Sequence, residues 1–285
     1  MGSWQRLGAM DPHRLIDVRL QLHWAAQAAA AVGKQLLEHQ ADYGEQSFQW
    51  IDGAGALAQG VVSAPRLFRA ALRLADPALQ LLDAEGHEIR GFPLDGRTLD
   101  EAWGWLEEEI PRLLDLPLER PLERSQALEP HAVGDGGRFA LTDREACAEL
   151  AHWFGNAHRL LSGVVARHTG ASAVRCWPHH FDLATLITLD PGHDAESARS
   201  IGIGLSPGDA GRTLPYLYVT PWPYPEKPAL PELEGGGTWN TEGWLGGVLE
   251  AEALLGAPHP EEQEDRVERF VKSAIAACRR LIGAV

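Results

Sequence analysis

Cysteine is scarce: the chain has three in 285 residues, at positions 147, 176 and 278. The number is odd and the spacing wide, so no disulfide framework is expected. Reduced thiols in a cytoplasm fit better. No CxxC pair occurs, which removes the usual structural zinc site. Positive charge is also short, with 25 Lys+Arg against 40 Asp+Glu and a net charge of −15. No basic cluster occurs, so nucleic acid is not an expected partner. No apolar run reaches the roughly 18–20 residues of a membrane span, so no membrane partner is expected either. The strings His-Glu-x-x-His, GxGxxG and Walker A are all missing, which leaves those three chemistries without sequence support. The opening "MGSWQRLGAMDPHR" has no long apolar core and is not read as a signal peptide. Met10 is a candidate natural start, and residues 1–12 are expected to be a flexible extension.

What is present is apolar and aromatic. Hydrophobic residues make up 45% of the chain, enough for one large core or two modest ones. A helix is expected from about Pro12 to His39, with Asp11 as its N-cap. "SFQWI", "RLFRAALRL", "ALQLLDA" and "HEIRGFPL" read as strands, with a turn at Glu85-Gly86. "TLDEAWGWLEEEIPRLL" is a helix with a capping box, Thr98 and Glu101, and Pro111 near its end. The stretch from Asp115 to Gly137 reads as the connection between two halves.

The second half repeats the order. A helix starts at Thr142 or Asp143, with Glu145 at capping-box spacing. Strands follow at Ala173–Leu189, "SIGIGLS" and "PYLYVTPW". "TWNTEGWLGGVLEAEALLG" is expected to be helical. The closing helix places Val267, Phe270, Val271, Ala274, Ile275, Cys278, Leu281 and Ile282 on one stripe. "LHWAAQAA" lies over "AHWFGNAH", setting His23 over His152 and Gln27 over Asn156. This order predicts an α+β fold of two related helix–strands–helix halves, 13–137 and 138–285, with antiparallel sheet and a C-terminal helix.

One string stands apart: "RCWPHHFDLATLITLD", Arg175 to Asp190. Two histidines and an aspartate follow a Trp-Pro step at the head of an apolar run. With "IGLSPGD" and "PYLYVTPWPYP", this string resembles a family of uncharacterised bacterial proteins defined by a domain of unknown function. The resemblance runs from "LHWAAQ" to "GWLGGVL". It implies a fold shared with relatives and carries no mechanism.

The chemistry therefore comes from the residues. Alternation along a strand puts His180 and Asp182 on one face and His179 and Phe181 on the other. A carboxylate two residues from an imidazole fixes its tautomer and raises its basicity. His180 is the candidate general base, with Asp182 its partner. His179, His180 and Asp182 are also a candidate ligand set for a divalent metal. Trp177, Tyr216, Tyr218 and Trp222 are candidate walls of a small-molecule pocket, with Ser206 and Asp209 at its edge. Three functions follow: an enzyme using His180 as base or metal ligand, a non-catalytic small-molecule-binding protein, and a structural protein in which the motif sets the fold.

Overall fold

The computed structural model describes residues 3–124, 128–190, 192, 197–226 and 229–284. The protein is an α+β mixture with two antiparallel sheets and a C-terminal helix. It divides into two compact units. The amino-terminal unit is His13–Ala151 with Arg175–Phe181, and the carboxy-terminal unit is Met1–Pro12, His152–Val174 and Asp182–Val285. The boundary expected after residue 137 is thus replaced by crossings inside a helix and on either side of the motif turn. No helix among the described residues is long and apolar enough to cross a membrane.

In the amino-terminal unit, a single turn over Pro12–Arg14 leads into α1 (Leu15–Leu36). Five short strands follow: β1 (Gln49–Ile51), β2 (Ala56–Ala58), β3 (Arg69–Arg73), β4 (Ala78–Leu82) and β5 (Glu88–Pro93). They pair antiparallel in sequence order. The middle of α1 is alanine-rich and buried nearly all round. Side chains that small lose no rotamer freedom and let the helix lie close to its neighbours. Helix α2 (Leu99–Leu114) opens on the expected capping box, Thr98 and Glu101, and runs on through Pro111. Residues 115–124 and 128–137 contact α1: Trp24 Nε1 donates to the Glu129 carbonyl at 3.2 Å, and Lys34 pairs with Glu123 at 2.6 Å.

Helix α3 (Arg144–Arg167) begins at Asp143, whose carboxylate accepts the Ala146 amide at 3.1 Å. Glu145 completes no capping box. It pairs instead with Arg14 at 3.0 Å. The chain then enters β6 (Arg175–Trp177), which is bridged to Phe48 by two backbone hydrogen bonds at Cys176.

The carboxy-terminal unit holds β7 (Asp182–Thr188), β8 (Ser200–Ser206), β9 (Tyr216–Trp222), β10 (Thr238–Asn240) and β11 (Gly246–Glu250), in the antiparallel order β10–β11–β9–β8–β7. The segment expected to be one helix from Thr238 to Gly256 is a hairpin followed by the short α4 (Ala251–Leu255). Gly243 sits at φ +76° in the connecting loop, a conformation that ends any helix there. Helix α5 (Pro260–Leu281) buries the expected stripe from Val267 to Cys278. Residues 3–12 are held, contrary to a flexible extension. Trp4 and Leu7 are buried, and Gln263 bonds the Leu7 amide and carbonyl, each at 3.0 Å.

Candidate functional site

The Trp-Pro-His-His-Phe-Asp string is a turn rather than the head of a strand. The Trp177 carbonyl accepts the amides of His180 (3.2 Å) and Phe181 (2.7 Å), closing the chain on itself. Phe181 then takes φ +57°, one of three non-glycine residues with positive φ among the described residues. That is unfavourable for a bulky side chain, at about 1–3 kcal/mol. Burial holds it there: Phe181 is fully buried, and its ring stacks on the His23 imidazole at 5.3 Å and 8°.

Two side chains of α1 fix the turn's backbone. His23 Nε2 lies 2.8 Å from the Pro178 carbonyl oxygen, and Gln27 Nε2 donates to the same oxygen at 2.6 Å. Proline has no N–H, so its carbonyl is the one backbone handle this residue offers. Burial lowers the His23 pKa to about 4, only partly offset by its hydrogen bond to Pro178. His23 is therefore neutral at pH 7 and donates its Nε2 proton to the carbonyl. The expected strand alternation fails for this reason. Pro178 and Phe181 are anchored, and the turn between them turns both imidazoles outward.

His179 and His180 are exposed, with ring centroids 4.3 Å apart. His179 also stands 6.2 Å from the Trp177 ring. Confinement lowers the His179 pKa, helped by the neighbouring charge of His180. A cleft of about 270 Å³ opens beside it, walled by Trp177, Pro178, His179, Gln27, Gln46 and Tyr43. Lys34, Glu123 and Asp42 bring charge to the same lining. Lys34 holds the Glu123 carboxyl below its usual range. Asp42 accepts from Arg175 at 3.1 Å. Tyr43 is a second non-glycine residue with positive φ, at +56°. Tyr43 lines the cleft directly, and strain of this kind concentrates at functional sites.

The other expected site residues fall elsewhere. Asp182 opens β7 in the carboxy-terminal unit and accepts the Tyr218 hydroxyl at 2.5 Å. Tyr218 reaches it from β9 across β8, and Gly204 makes the crossing possible: a Cβ there would meet the phenol ring and hydroxyl at 2.5 Å. Tyr216, on the same face of β9, donates to Asp209 at 2.6 Å. Its pKa is raised by burial and by that carboxylate. Asp209 also accepts the amides of Gly211 and Arg212 at 2.7 and 2.8 Å. Arg212 lies 5.6 Å over the Tyr216 ring and donates to Glu250 and Asn240, each at 2.8 Å. Ser206 is buried, and its hydroxyl accepts the Gly208 amide at 3.2 Å. Trp222 is 45% exposed and its ring meets that of Tyr224, 5.7 Å away.

Of the expected residues, then, the cleft takes Trp177 and His179. Tyr216, Ser206 and Asp209 belong to a separate cluster that satisfies itself. The expected metal set of His179, His180 and Asp182 is not assembled: among the described residues, no group of three His, Cys, Asp or Glu side chains is placed to hold a metal ion. The turn that displays the two imidazoles is what breaks the set. His23, Gln27, Lys34 and Glu123 were missed. Their sequence signal was a His and a Gln four apart in an alanine-rich helix, which places both on one face. Comparison of the chain with protein-family models, with curated proteins and with solved structures returns no match.

Proposed function

We propose that the protein binds a small polar organic molecule in the cleft beside the motif turn, with neutral His179 as hydrogen-bond acceptor or base. One observation carries this reading. An anchored, strained turn presents an imidazole to a cleft that also holds two aromatic walls and a Lys34–Glu123 pair. The volume, about 270 Å³, lies just under the roughly 300–1,000 Å³ usual for drug-sized ligands, which favours a compact molecule. Trp177 and Tyr43 offer faces for stacking. The Lys34–Glu123 pair is half exposed, and such pairs contribute little. A ligand carrying its own charge can therefore open it at low cost.

The structural reading of the motif accounts for a different part of it. Pro178 and Phe181 set the fold locally through His23 and Gln27. That role uses neither imidazole of the pair. A thermal-shift screen of small polar compounds tests the proposal, run on wild type and on His179→Ala. The expected result is a set of stabilising compounds whose effect disappears in the variant while the unliganded melting temperature stays put. Compounds that stabilise both proteins equally would contradict it.

A further inference from the structure

A second concavity lies wholly within the carboxy-terminal unit, between α3 and α5. It has a volume of about 480 Å³. Its floor is apolar: Leu160 and Val164 from α3, and Val271 and Ile275 from α5. Its rim is cationic, with Arg167, Lys272 and Arg279. In a chain of net charge −15, three cations around one apolar groove run against the overall balance. Several other cations of this unit are paired, Arg159 with Glu264, Arg199 with Asp190 and Arg269 with Asp265, whereas Arg6 and Arg280, away from the groove, are not paired among the described residues. The side chains of Arg167, Lys272 and Arg279 make no ion pair and no hydrogen bond among the described residues. Arg167 and Arg279 sit in the last turns of α3 and α5, where the helix dipole favours a cation without using up its donors. Lys272 is in mid-helix and has no such reason to be there. Glu268 is the one carboxylate on the lining.

We propose that this groove binds a single-chain carboxylate: an apolar tail of medium length on the floor, and an anionic head held by Arg167, Lys272 and Arg279. His168, at the same rim, registers the positive field. Its pKa is lowered first by burial and then by Arg279 and Arg167. The groove's volume lies within the small-ligand range. An anionic head offers charge-assisted hydrogen bonds to donors that have no other partner.

Calorimetric titration with decanoate and with decanol, both below micelle-forming concentrations, tests this. Decanoate should bind one to one and at least about tenfold more tightly than decanol, a difference of about 1.4 kcal/mol. Lys272→Glu/Arg279→Glu should abolish that preference and leave decanol binding unchanged. Ala276→Asp puts a carboxylate on the lining without touching the cations, and it should weaken decanoate in the same direction. All three substituted side chains are at least partly exposed, so circular dichroism should show both variants folded. Equal affinity for decanoate and decanol would overturn the proposal. So would a preference that survives both variants, or binding of an acidic amphipathic peptide that decanoate does not displace.

Discussion

The two polar clusters of this protein differ in what they leave over. In the carboxy-terminal unit, Asp209 takes a phenol and two amides, and Arg212 takes a carboxylate, an amide oxygen and an aromatic face. Every strong group has found another protein group, and the cluster braces β9 against the loop after β8. In the amino-terminal unit, the motif turn spends its anchoring on Pro178 and Phe181, and sets His179 at the edge of a cleft. A polar cluster whose members satisfy one another contributes stability. One that is held rigid with a titratable group to spare is free to bind. Aromatic and acidic composition alone does not separate the two cases; the partners do.

The largest expected effect breaks the anchored side of that comparison. Phe181→Ala removes a fully buried ring stacked on His23. Denaturant unfolding should show a loss of about 3–5 kcal/mol. Next comes pH. A histidine whose pKa is depressed on folding holds its proton more weakly in the folded state than in the unfolded chain. Stability is therefore full above the unfolded value near 6.5 and falls as pH drops towards the folded value, about 4 for His23. Acidification from pH 7 to 4 should cost about 3 kcal/mol through this one group. His23→Asn should flatten that part of the stability–pH curve, and an unchanged slope would remove His23 from the account.

A smaller effect tests the self-satisfied side. Gly204→Ala drives a methyl group into the Tyr218 ring and should cost about 1–3 kcal/mol. Most of that cost should vanish in a Tyr218→Ala background, which a double-mutant cycle would read directly. Tyr216→Phe should cost about 1–2 kcal/mol by leaving the buried side of Asp209 short of a donor. The smallest effect is expected at the presented residues. His179→Ala and His180→Ala should each change stability by no more than about 0.5 kcal/mol, because both side chains are exposed.

Much of the fold was legible in the sequence where one signal dominated. The stripe of α5 and the Thr98–Glu101 capping box appear as expected, because 3–4 spacing and a paired cap each admit one local structure. The strands β3, β4 and β5 lie within their expected strings. The segment from Thr238 misled because its Leu, Ala and Glu residues favour helix locally, and tertiary pairing overrides that preference. The decision falls to Gly243 and to pairing with β9, a contact remote in sequence. The motif string was visible as unusual, yet its geometry was not. Alternation assumes extended backbone, and Phe181 in the left-handed region is set by a buried stack on a residue far away in sequence. The internal duplication read from "LHWAAQAA" and "AHWFGNAH" is not confirmed: Gln27 bonds the Pro178 carbonyl, whereas Asn156 bonds the Gln5 backbone at 2.8 and 2.7 Å.

The central claim is that the motif turn is anchored by Pro178 and Phe181 in order to present His179 to a ligand. Protein-observed NMR with a library of small polar compounds tests it most directly, read at the Trp177 indole N–H and at the ring protons of His179, His180 and His23. The account predicts a group of compounds that shift Trp177 and His179 together in a saturable manner. His180 should move less and His23 hardly at all. Compounds that bind with no change at Trp177 and His179, or a library in which none binds there, would contradict it.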